Sequence, residues 1–363
     1  MIGRIYRLMD IKRIEMNQRE IKFGKDDIIV RPDYLSICAA DQRYYFGQRD
    51  RKVLDEKLPM ALIHEATASV MYDPTGALPV GTRVVLIPLI EEDANDRIRG
   101  NYNPKNKFAS SGVDGFMRDM ISISRNRVIP IESEYSMVFV FSELISVVIN
   151  ALDAFEKKRV TDVGRIGIWG DGNMGFIVSL VIHCLYPDSE IFIFGKTMRK
   201  LQHFSFADKV MMIDRIPERT TVDHCFECVG GKNSELAIEQ MINIISPQGC
   251  INLMGVSETP VAVNTRLVLE KGITLLGNSR SNSEDMKKAV KLISENPLCR
   301  KYLQMLVSEV VDIYDESDMA HSFEQSMLND FKTVMKWEVR ERTAVCRDRD
   351  YSVCSAGTPA YTA

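Results

Sequence analysis

Three residues in the N-terminal part of the chain are of types that bind zinc: Cys38 and the adjacent pair His64 and Glu65. A catalytic zinc typically keeps three protein ligands and one open position, and thiolate, imidazole and carboxylate all suit it. Taken alone, His64 is more often an ordinary surface or core histidine. The side chains of neighbouring residues on a regular strand point to opposite faces. Glu65 therefore either binds the zinc directly, which requires an irregular backbone, or supports the other ligands without binding the metal itself. The triplet predicts a candidate zinc site.

A further carboxylate, Glu143, stands at the head of an apolar segment that has helical spacing, residues 137–155. A charge in such a setting needs a partner, and a cation in the site would provide one. The alternative is an acid that is favoured at a helix start by the helix dipole. Glu143 is therefore a candidate fourth residue of the metal site.

A glycine-rich loop follows a short apolar strand, residues 166–169, and opens a helix that is expected to run to about residue 185. This is the context that a dinucleotide-binding loop requires. The first glycine permits the tight turn, the second lets the backbone approach a pyrophosphate, and the third lets helix and strand pack closely. The loop is Gly170-Asp171-Gly172-Asn173-Met174-Gly175. It predicts a nucleotide cofactor bound at a helix N-terminus.

The end of the next strand, residues 191–194, favours one cofactor over the other. An NAD site expects an acid there to accept from the ribose hydroxyls. The chain instead continues Gly195, Lys196, Thr197, and Arg199 follows. A small residue with cations leaves room and charge for a 2′-phosphate, which predicts NADP(H). Alternatively, these cations form a solvated helix start.

The elements that position these residues predict an α/β protein. The first 150 residues read as short strands with turns, whereas strands alternate with helices from about residue 164, which indicates a doubly wound parallel sheet. We expect a catalytic domain over residues 1–150 and a nucleotide domain over 151–285. Residues 286–339 are expected to return to the first domain, and residues 340–363 to form a disordered tail.

Composition narrows the classes of function. The chain has 363 residues, of which 45% are hydrophobic, and a net charge of -4, so no basic field points to nucleic acid. The charged N-terminal segment predicts neither a signal nor a transit peptide, and no continuous apolar run is long enough to span a membrane. Eight scattered cysteines are typical of reduced thiols. These features predict a cytoplasmic enzyme without a membrane or nucleic-acid partner.

Several of these passages together resemble the zinc-containing medium-chain dehydrogenases. The similar segments are residues 37–41 (ICAAD), His64-Glu65, residues 142–144 (SEL) and the glycine turn at 111–117 (SGVDGFM). The resemblance implies a GroES-like β-rich catalytic domain joined to a Rossmann domain, and homodimers that pair through the nucleotide domains. It implies zinc ligands at Cys38, His64, Glu65 and Glu143. It also implies that Asp41 contacts the substrate oxygen. Many members hold a structural zinc through four cysteines near residues 90–110, where this chain has none, so one catalytic zinc is expected.

Residues 36–47, 194–197 and 264–272 resemble one subgroup more closely, the ribulose-5-phosphate reductases. This resemblance implies reduction of D-ribulose 5-phosphate by NADPH to D-ribitol 5-phosphate. The product would supply CDP-ribitol for teichoic acid or capsule, with a cytidylyltransferase as functional partner. Arg43 and Tyr44, beside Tyr45, are candidates for binding the substrate phosphate, although they can equally be a solvated rim. The alternatives are a dehydrogenase of an unphosphorylated polyol and a non-catalytic nucleotide-binding protein.

Overall fold

The computed structural model describes residues 1–92 and 97–339. The predicted disordered tail, residues 340–363, lies outside these ranges, as do residues 93–96. The first part of the chain contains nine strands and two short helices: β1 (Ile2–Asp10), β2 (Arg13–Glu20), β3 (Asp27–Ser36), α1 (Ala39–Tyr45), α2 (Arg51–Lys57), β4 (Glu65–Tyr72), β5 (Arg83–Leu86), β6 (Leu89–Ile90), β7 (Lys107–Phe108), β8 (Ile121–Ser124) and β9 (Val128–Pro130). The sequence patterns did not predict the β1–β2 hairpin or either helix.

From residue 142 onward, helices and strands alternate. The elements are α3 (Ser142–Lys158), β10 (Arg165–Trp169), α4 (Asn173–Leu185), β11 (Glu190–Gly195), α5 (Met198–Leu201), β12 (Lys209–Met212), β13 (His224–Glu227), α6 (Ser234–Ile244), β14 (Cys250–Leu253), α7 (Thr265–Lys271), β15 (Thr274–Gly277), α8 (Ser283–Glu295), α9 (Pro297–Met305), β16 (Val307–Ile313), α10 (Glu316–Leu328) and β17 (Lys332–Trp337).

The strands β10 to β15 form a six-stranded parallel sheet in the order β12-β11-β10-β13-β14-β15. Numbered from β10, this is the order 3-2-1-4-5-6 of dinucleotide-binding sheets, whose ligand crevice opens where the strand order reverses. A second sheet has the order β16-β17-β3-β4-β5-β9, with β8 paired to β3. The predicted α/β class with a doubly wound parallel sheet is confirmed.

The C-terminal strand β17 returns to the β-rich sheet, where it lies antiparallel to β3 and pairs Met335 with Leu35. The strand β16 extends this sheet by pairing with β17. The preceding helices α8 and α9 first bury their apolar faces in the same core as α3 and α4. The two halves of the chain therefore pack against each other, and the metal-site candidates lie near their contact surface.

The helical segment Met137–Lys158, which includes α3, is long and apolar enough to cross a membrane by length and composition alone. The sequence prediction did not identify it, because the segment is not a continuous apolar run. Within the apolar window, 78% of the residues are buried inside the protein. Their side chains join the core that also contains β10 and α4. The segment therefore packs as a core helix, and its first turn carries Glu143.

Candidate active site

Three of the predicted metal ligands converge in one buried cluster. The ligand atoms of Cys38, His64 and Glu65 all lie within 4.8 Å of one another. The Sγ atom of Cys38 is 3.4 Å from Nε2 of His64. With Zn–S about 2.3 Å and Zn–N about 2.1 Å, two ligands of a tetrahedral zinc lie about 3.6 Å apart. The cluster therefore fits zinc in both ligand chemistry and spacing.

The backbone before β4 explains how neighbouring residues reach the same site. Ile63 adopts a left-handed conformation with φ +71°, which is rare for a β-branched residue. The regular strand begins only at Glu65, so strand alternation does not separate it from His64. The predicted glycine turn holds this segment, because the amides of Gly115 and Phe116 donate to the carbonyls of Ala61 and Ile63. A side chain at Gly115 would overlap the carbonyl oxygens of residues 62 and 63.

Asp41, for which the resemblance implied a contact with the substrate oxygen, lies inside the protein next to the ligand cluster. Its carboxylate is fully buried and accepts hydrogen bonds from the Ile63 amide at 3.0 Å, the Ser110 hydroxyl at 2.6 Å and the Cys38 amide at 3.2 Å. It has no exposed surface to offer a substrate oxygen. Its Oδ1 lies 3.8 Å from Nδ1 of His64, a buried nitrogen with no hydrogen-bond partner among the described residues. Asp41 therefore links the backbone at Cys38 and Ile63 to the Ser110 side chain.

Glu65 is held by a cation that the sequence analysis did not single out. The ammonium of Lys332 lies within 2.9 Å of both carboxylate oxygens and also donates to the Ile37 carbonyl at 2.7 Å. Both side chains are buried, at 1% exposure for Lys332 and 0% for Glu65. Its sequence signal is a lysine inside the apolar strand β17. Glu65 therefore belongs to the cluster and is also paired with a buried cation.

Glu143 lies beside the cluster, but its carboxylate is not among the ligand atoms that group within 4.8 Å. Burial raises the pKa of Glu143 to about 7. The charges of His64 and Lys332 oppose this rise, whereas those of Glu65 and Asp41 add to it. The structure thus brings three predicted ligands together. The fourth, Glu143, lies close enough for the charges of His64 and Glu65 to shift its pKa.

A bound cation would change the protonation of the cluster. Burial raises the pKa of the Cys38 thiol, with the nearby Asp41 adding to the effect. Burial alone would lower the pKa of His64, but the negative charges of Cys38 and Asp41 raise it well above its usual value. A divalent cation favours the thiolate and neutral imidazole forms that ligation needs.

The predicted glycine loop lines a cavity of about 190 Å³ at the reversal point of the parallel sheet. Gly170 has φ +128°, and Gly172 is the N-cap of α4, whose first residues are Asn173 and Met174. A side chain at Gly175 would overlap the Gly170 carbonyl oxygen. The free amides of the first turn of α4 therefore face a space that can receive a pyrophosphate.

The end of β11 forms the wall of this cavity where the ribose of a nucleotide would lie. A Cβ atom at Gly195 would be 2.7 Å from Cβ of Asp171, so the glycine makes room for that side chain. The Asp171 carboxylate accepts from the amides of Lys196 at 2.8 Å and Thr197 at 2.6 Å. The predicted cation Arg199 instead pairs with Asp330 at 2.6 Å. Lys196 remains as the exposed cation at this wall.

The candidates for substrate binding are carried by α1, whose N-cap is Cys38. Arg43 is partly buried, and Tyr44 is 2% exposed. Tyr45 stacks on Phe323 with ring centroids 4.4 Å apart, so it belongs to the core and not to the rim. The helix therefore connects a metal ligand directly to a cationic side chain.

The fold and the buried ligand cluster define a zinc-binding medium-chain dehydrogenase. The alcohol dehydrogenase GroES-like domain matches residues 24–133, and the zinc-binding dehydrogenase domain matches residues 196–295. Ribulose-5-phosphate reductase 1 of Staphylococcus aureus is 45% identical over 339 residues, covering 93% of this chain and 99% of the relative. The ribulose-5-phosphate reductase of Bacillus spizizenii is 45% identical over 93% of this chain and 100% of the relative.

The structure of S. aureus TarJ in complex with NADPH is similar over 93% of this chain and 99% of that chain, with a TM-score of 0.82 and 43% identity. The chain therefore belongs to the ribulose-5-phosphate reductase family. The predicted family membership is confirmed.

Proposed function

We propose that the protein reduces D-ribulose 5-phosphate with NADPH to D-ribitol 5-phosphate. In this reaction a hydride from NADPH forms the new C–H bond at C2, the carbonyl oxygen takes up one proton, and NADP⁺ is released. The observation that carries the proposal is the buried cluster of Cys38, His64 and Glu65, in a chain 45% identical to named ribulose-5-phosphate reductases.

Some residues of the site would hold the metal, and others would fix the positions of its ligands. Cys38 and His64 supply the sulfur and nitrogen ligands, and Glu65 or the adjacent Glu143 supplies the carboxylate. When bound, zinc supplies Lewis-acid polarisation of the ketone oxygen and stabilises negative charge on it. Asp41 would fix the backbone at Cys38 and Ile63 through their amides, and Lys332 would limit how far the Glu65 carboxylate moves toward the metal.

The choice of NADPH is supported by the wall of the nucleotide cavity. Strand β11 ends at Gly195, where an NAD site expects an acid that accepts from the ribose hydroxyls. Lys196 supplies positive charge close to where a 2′-phosphate would lie. The related S. aureus TarJ was solved with NADPH.

The wider context of the reaction is proposed from the resemblance. The enzyme would act in the cytoplasm as a homodimer and would need neither nucleic acid nor a membrane. The six cysteines of the described residues are all free thiols, which agrees with a reducing compartment. A cytidylyltransferase would consume the product to make CDP-ribitol for teichoic acid or capsule.

A substrate panel tests this proposal. NADPH oxidation is followed with D-ribulose 5-phosphate, D-ribulose, and other unphosphorylated ketoses, each with and without a zinc chelator. We expect the highest kcat/KM with D-ribulose 5-phosphate and loss of activity with the chelator, restored by zinc. A preference for an unphosphorylated ketose would favour the polyol dehydrogenase instead. Nucleotide binding without turnover on any substrate would favour the non-catalytic alternative.

A further inference from the structure

An acidic residue of the nucleotide domain reaches across to two arginines of the catalytic domain. Glu258 lies on the loop after β14, and its Oε1 is 2.9 Å from Nη1 of Arg49 and 3.5 Å from Nε of Arg43. The guanidinium of Arg49 also lies 5.1 Å from the ring centroid of Tyr44. These three charged side chains, Arg43, Arg49 and Glu258, are here called the arginine bracket.

The arginine bracket has more positive charge than its single acid neutralises. The arginine side chains are largely sheltered, at 22% and 19% exposure, whereas Glu258 is 50% exposed. Burial and the neighbouring Arg49 lower the pKa of Arg43, and Glu258 opposes that change. Arginine stays charged in proteins, so two guanidinium groups share one half-exposed carboxylate.

Donor groups in the bracket are also left unused. Within the described residues, Nε of Arg49 is buried and makes no hydrogen bond, and Nε of Arg43 has only its 3.5 Å contact with Glu258. A buried guanidinium donor without an acceptor carries a desolvation cost, which an incoming anion with several oxygens would remove. The planar fork of arginine matches the oxygens of a phosphate group in particular.

The bracket lies within reach of the reacting centre. Arg43 belongs to α1, whose N-cap is the metal-ligand candidate Cys38, and the charge of that thiolate acts on the Arg43 guanidinium. A ketose phosphate carries its phosphate at the opposite end of a short carbon chain from its reactive carbonyl. With the carbonyl at the metal cluster, the phosphate would extend toward α1.

We propose that Arg43 and Arg49 bind the 5-phosphate of the substrate. In the free enzyme, the Glu258 carboxylate occupies the position of this phosphate until the phosphate displaces it. This inference rests on the proposed function, and it adds Arg49 as a specificity-determining residue and Glu258 as an internal competitor. The phosphate brings more charge and more acceptor oxygens than one carboxylate, so the exchange favours the phosphorylated ketose. An unphosphorylated ketose leaves the Glu258 contacts in place and gains nothing from the bracket.

The test compares Arg49→Gln, Glu258→Gln and the control Arg266→Gln in the zinc- and NADPH-loaded enzyme. Arg266 is an exposed arginine that also pairs with a glutamate, Glu270, at 2.7 Å, but on the outer surface of the nucleotide domain. For each protein, kcat/KM is measured with D-ribulose 5-phosphate and with D-ribulose, together with the inhibition constant of inorganic phosphate.

We expect Arg49→Gln to lower kcat/KM for D-ribulose 5-phosphate by about 10- to 100-fold, the loss expected for charge-assisted hydrogen bonds. Its kcat/KM for D-ribulose should stay within about twofold of the wild type. Glu258→Gln should lower both the KM for D-ribulose 5-phosphate and the inhibition constant of phosphate by a few-fold. Arg266→Gln should match the wild type in every measurement.

Two results would overturn the proposal. An Arg49→Gln enzyme that loses the same factor on both substrates shows that the arginine supports the fold or the cofactor and not the phosphate. A Glu258→Gln enzyme with weaker phosphate inhibition shows that the acid organises the arginines and does not compete with the ligand.

Failure of the proposed function is recognised separately, because the wild type would then not reduce D-ribulose 5-phosphate at all. In that case, inorganic phosphate still tests the bracket through the thermal midpoint of the NADPH-saturated protein. A phosphate-induced rise that is lost in Arg49→Gln supports the bracket, and a rise of equal size in both proteins contradicts it.

Discussion

Replacing Lys332 with methionine removes the cation that pairs with a fully buried carboxylate, Glu65, while keeping the length and apolar stem of the side chain. The ammonium of Lys332 is within 2.9 Å of both Glu65 oxygens, and neither side chain is more than 1% exposed. Water therefore cannot replace the lost cation. Breaking a buried ion pair by removing one partner costs about 3–5 kcal/mol, and we expect a destabilisation of this size in the metal-free protein.

Zinc should reduce this loss, because the metal offers the stranded carboxylate a second cation in the same cluster. The contrast between zinc-loaded and chelator-treated protein therefore reports on whether Glu65 can ligate. A control comes from the same strand: Lys336 is 40% exposed and pairs with Asp312 and Glu338 at the surface. Lys336→Met should cost no more than about 1 kcal/mol with or without zinc.

The assay is urea unfolding followed by tryptophan fluorescence in a Trp169→Phe background. Trp337 on β17 is then the sole tryptophan of the chain and reports on the domain that contains the pair. The free energy of unfolding is measured for Lys332→Met, Glu65→Gln and the double variant. Since neutralising both partners leaves no stranded charge, the double variant should be more stable than the sum of the single losses predicts. Additive losses, or a Lys332→Met loss that zinc leaves unchanged, would refute this reasoning.

Three further predictions follow from the nucleotide cavity and the metal cluster. Lys196→Ala should raise the KM for NADPH by about tenfold and leave that for NADH unchanged, because only NADPH carries the 2′-phosphate; equal changes in steady-state assays would contradict this. Gly175→Ala should abolish NADPH binding in fluorescence titration, since its methyl group would overlap the Gly170 carbonyl oxygen; wild-type affinity would contradict it. Burial raises the pKa of Cys38, so zinc binding releases a proton there. Measured in competition with a chromogenic chelator, the zinc affinity should therefore rise by about tenfold per pH unit from pH 6 to 8. A pH-independent affinity would contradict this prediction.

The parts of the fold that were predictable from sequence depend on local patterns. Two glycines of the loop between β10 and α4, Gly170 and Gly175, stand where the backbone needs a positive φ or a close approach, and the strands around the loop are short apolar runs. The sequence around α8 does not reveal which domain the helix packs on, because an amphipathic helix can pack on either. Its packing on α3 is a contact between elements that are distant in sequence.

The site was predictable as far as ligand chemistry goes. The residue types of Cys38, His64 and Glu65 indicate a metal without any knowledge of the fold. The Lys332 partner of Glu65 lies 267 residues away, and no pattern near either residue connects them. The buried role of Asp41 did have a local signal: Cys38 and Asp41 form a capping box at α1, with the acid three residues after the N-cap.

The central claim is that the metal cluster activates a ketose phosphate for hydride transfer from NADPH. The most direct measurement uses NADPH with deuterium at its transferable C4 position, D-ribulose 5-phosphate and mass spectrometry of the product. We predict ribitol 5-phosphate with one deuterium at C2 for each NADPH oxidised, and no labelled product from zinc-treated Cys38→Ser enzyme. Unlabelled product, or the same labelling with Cys38→Ser, would contradict the account.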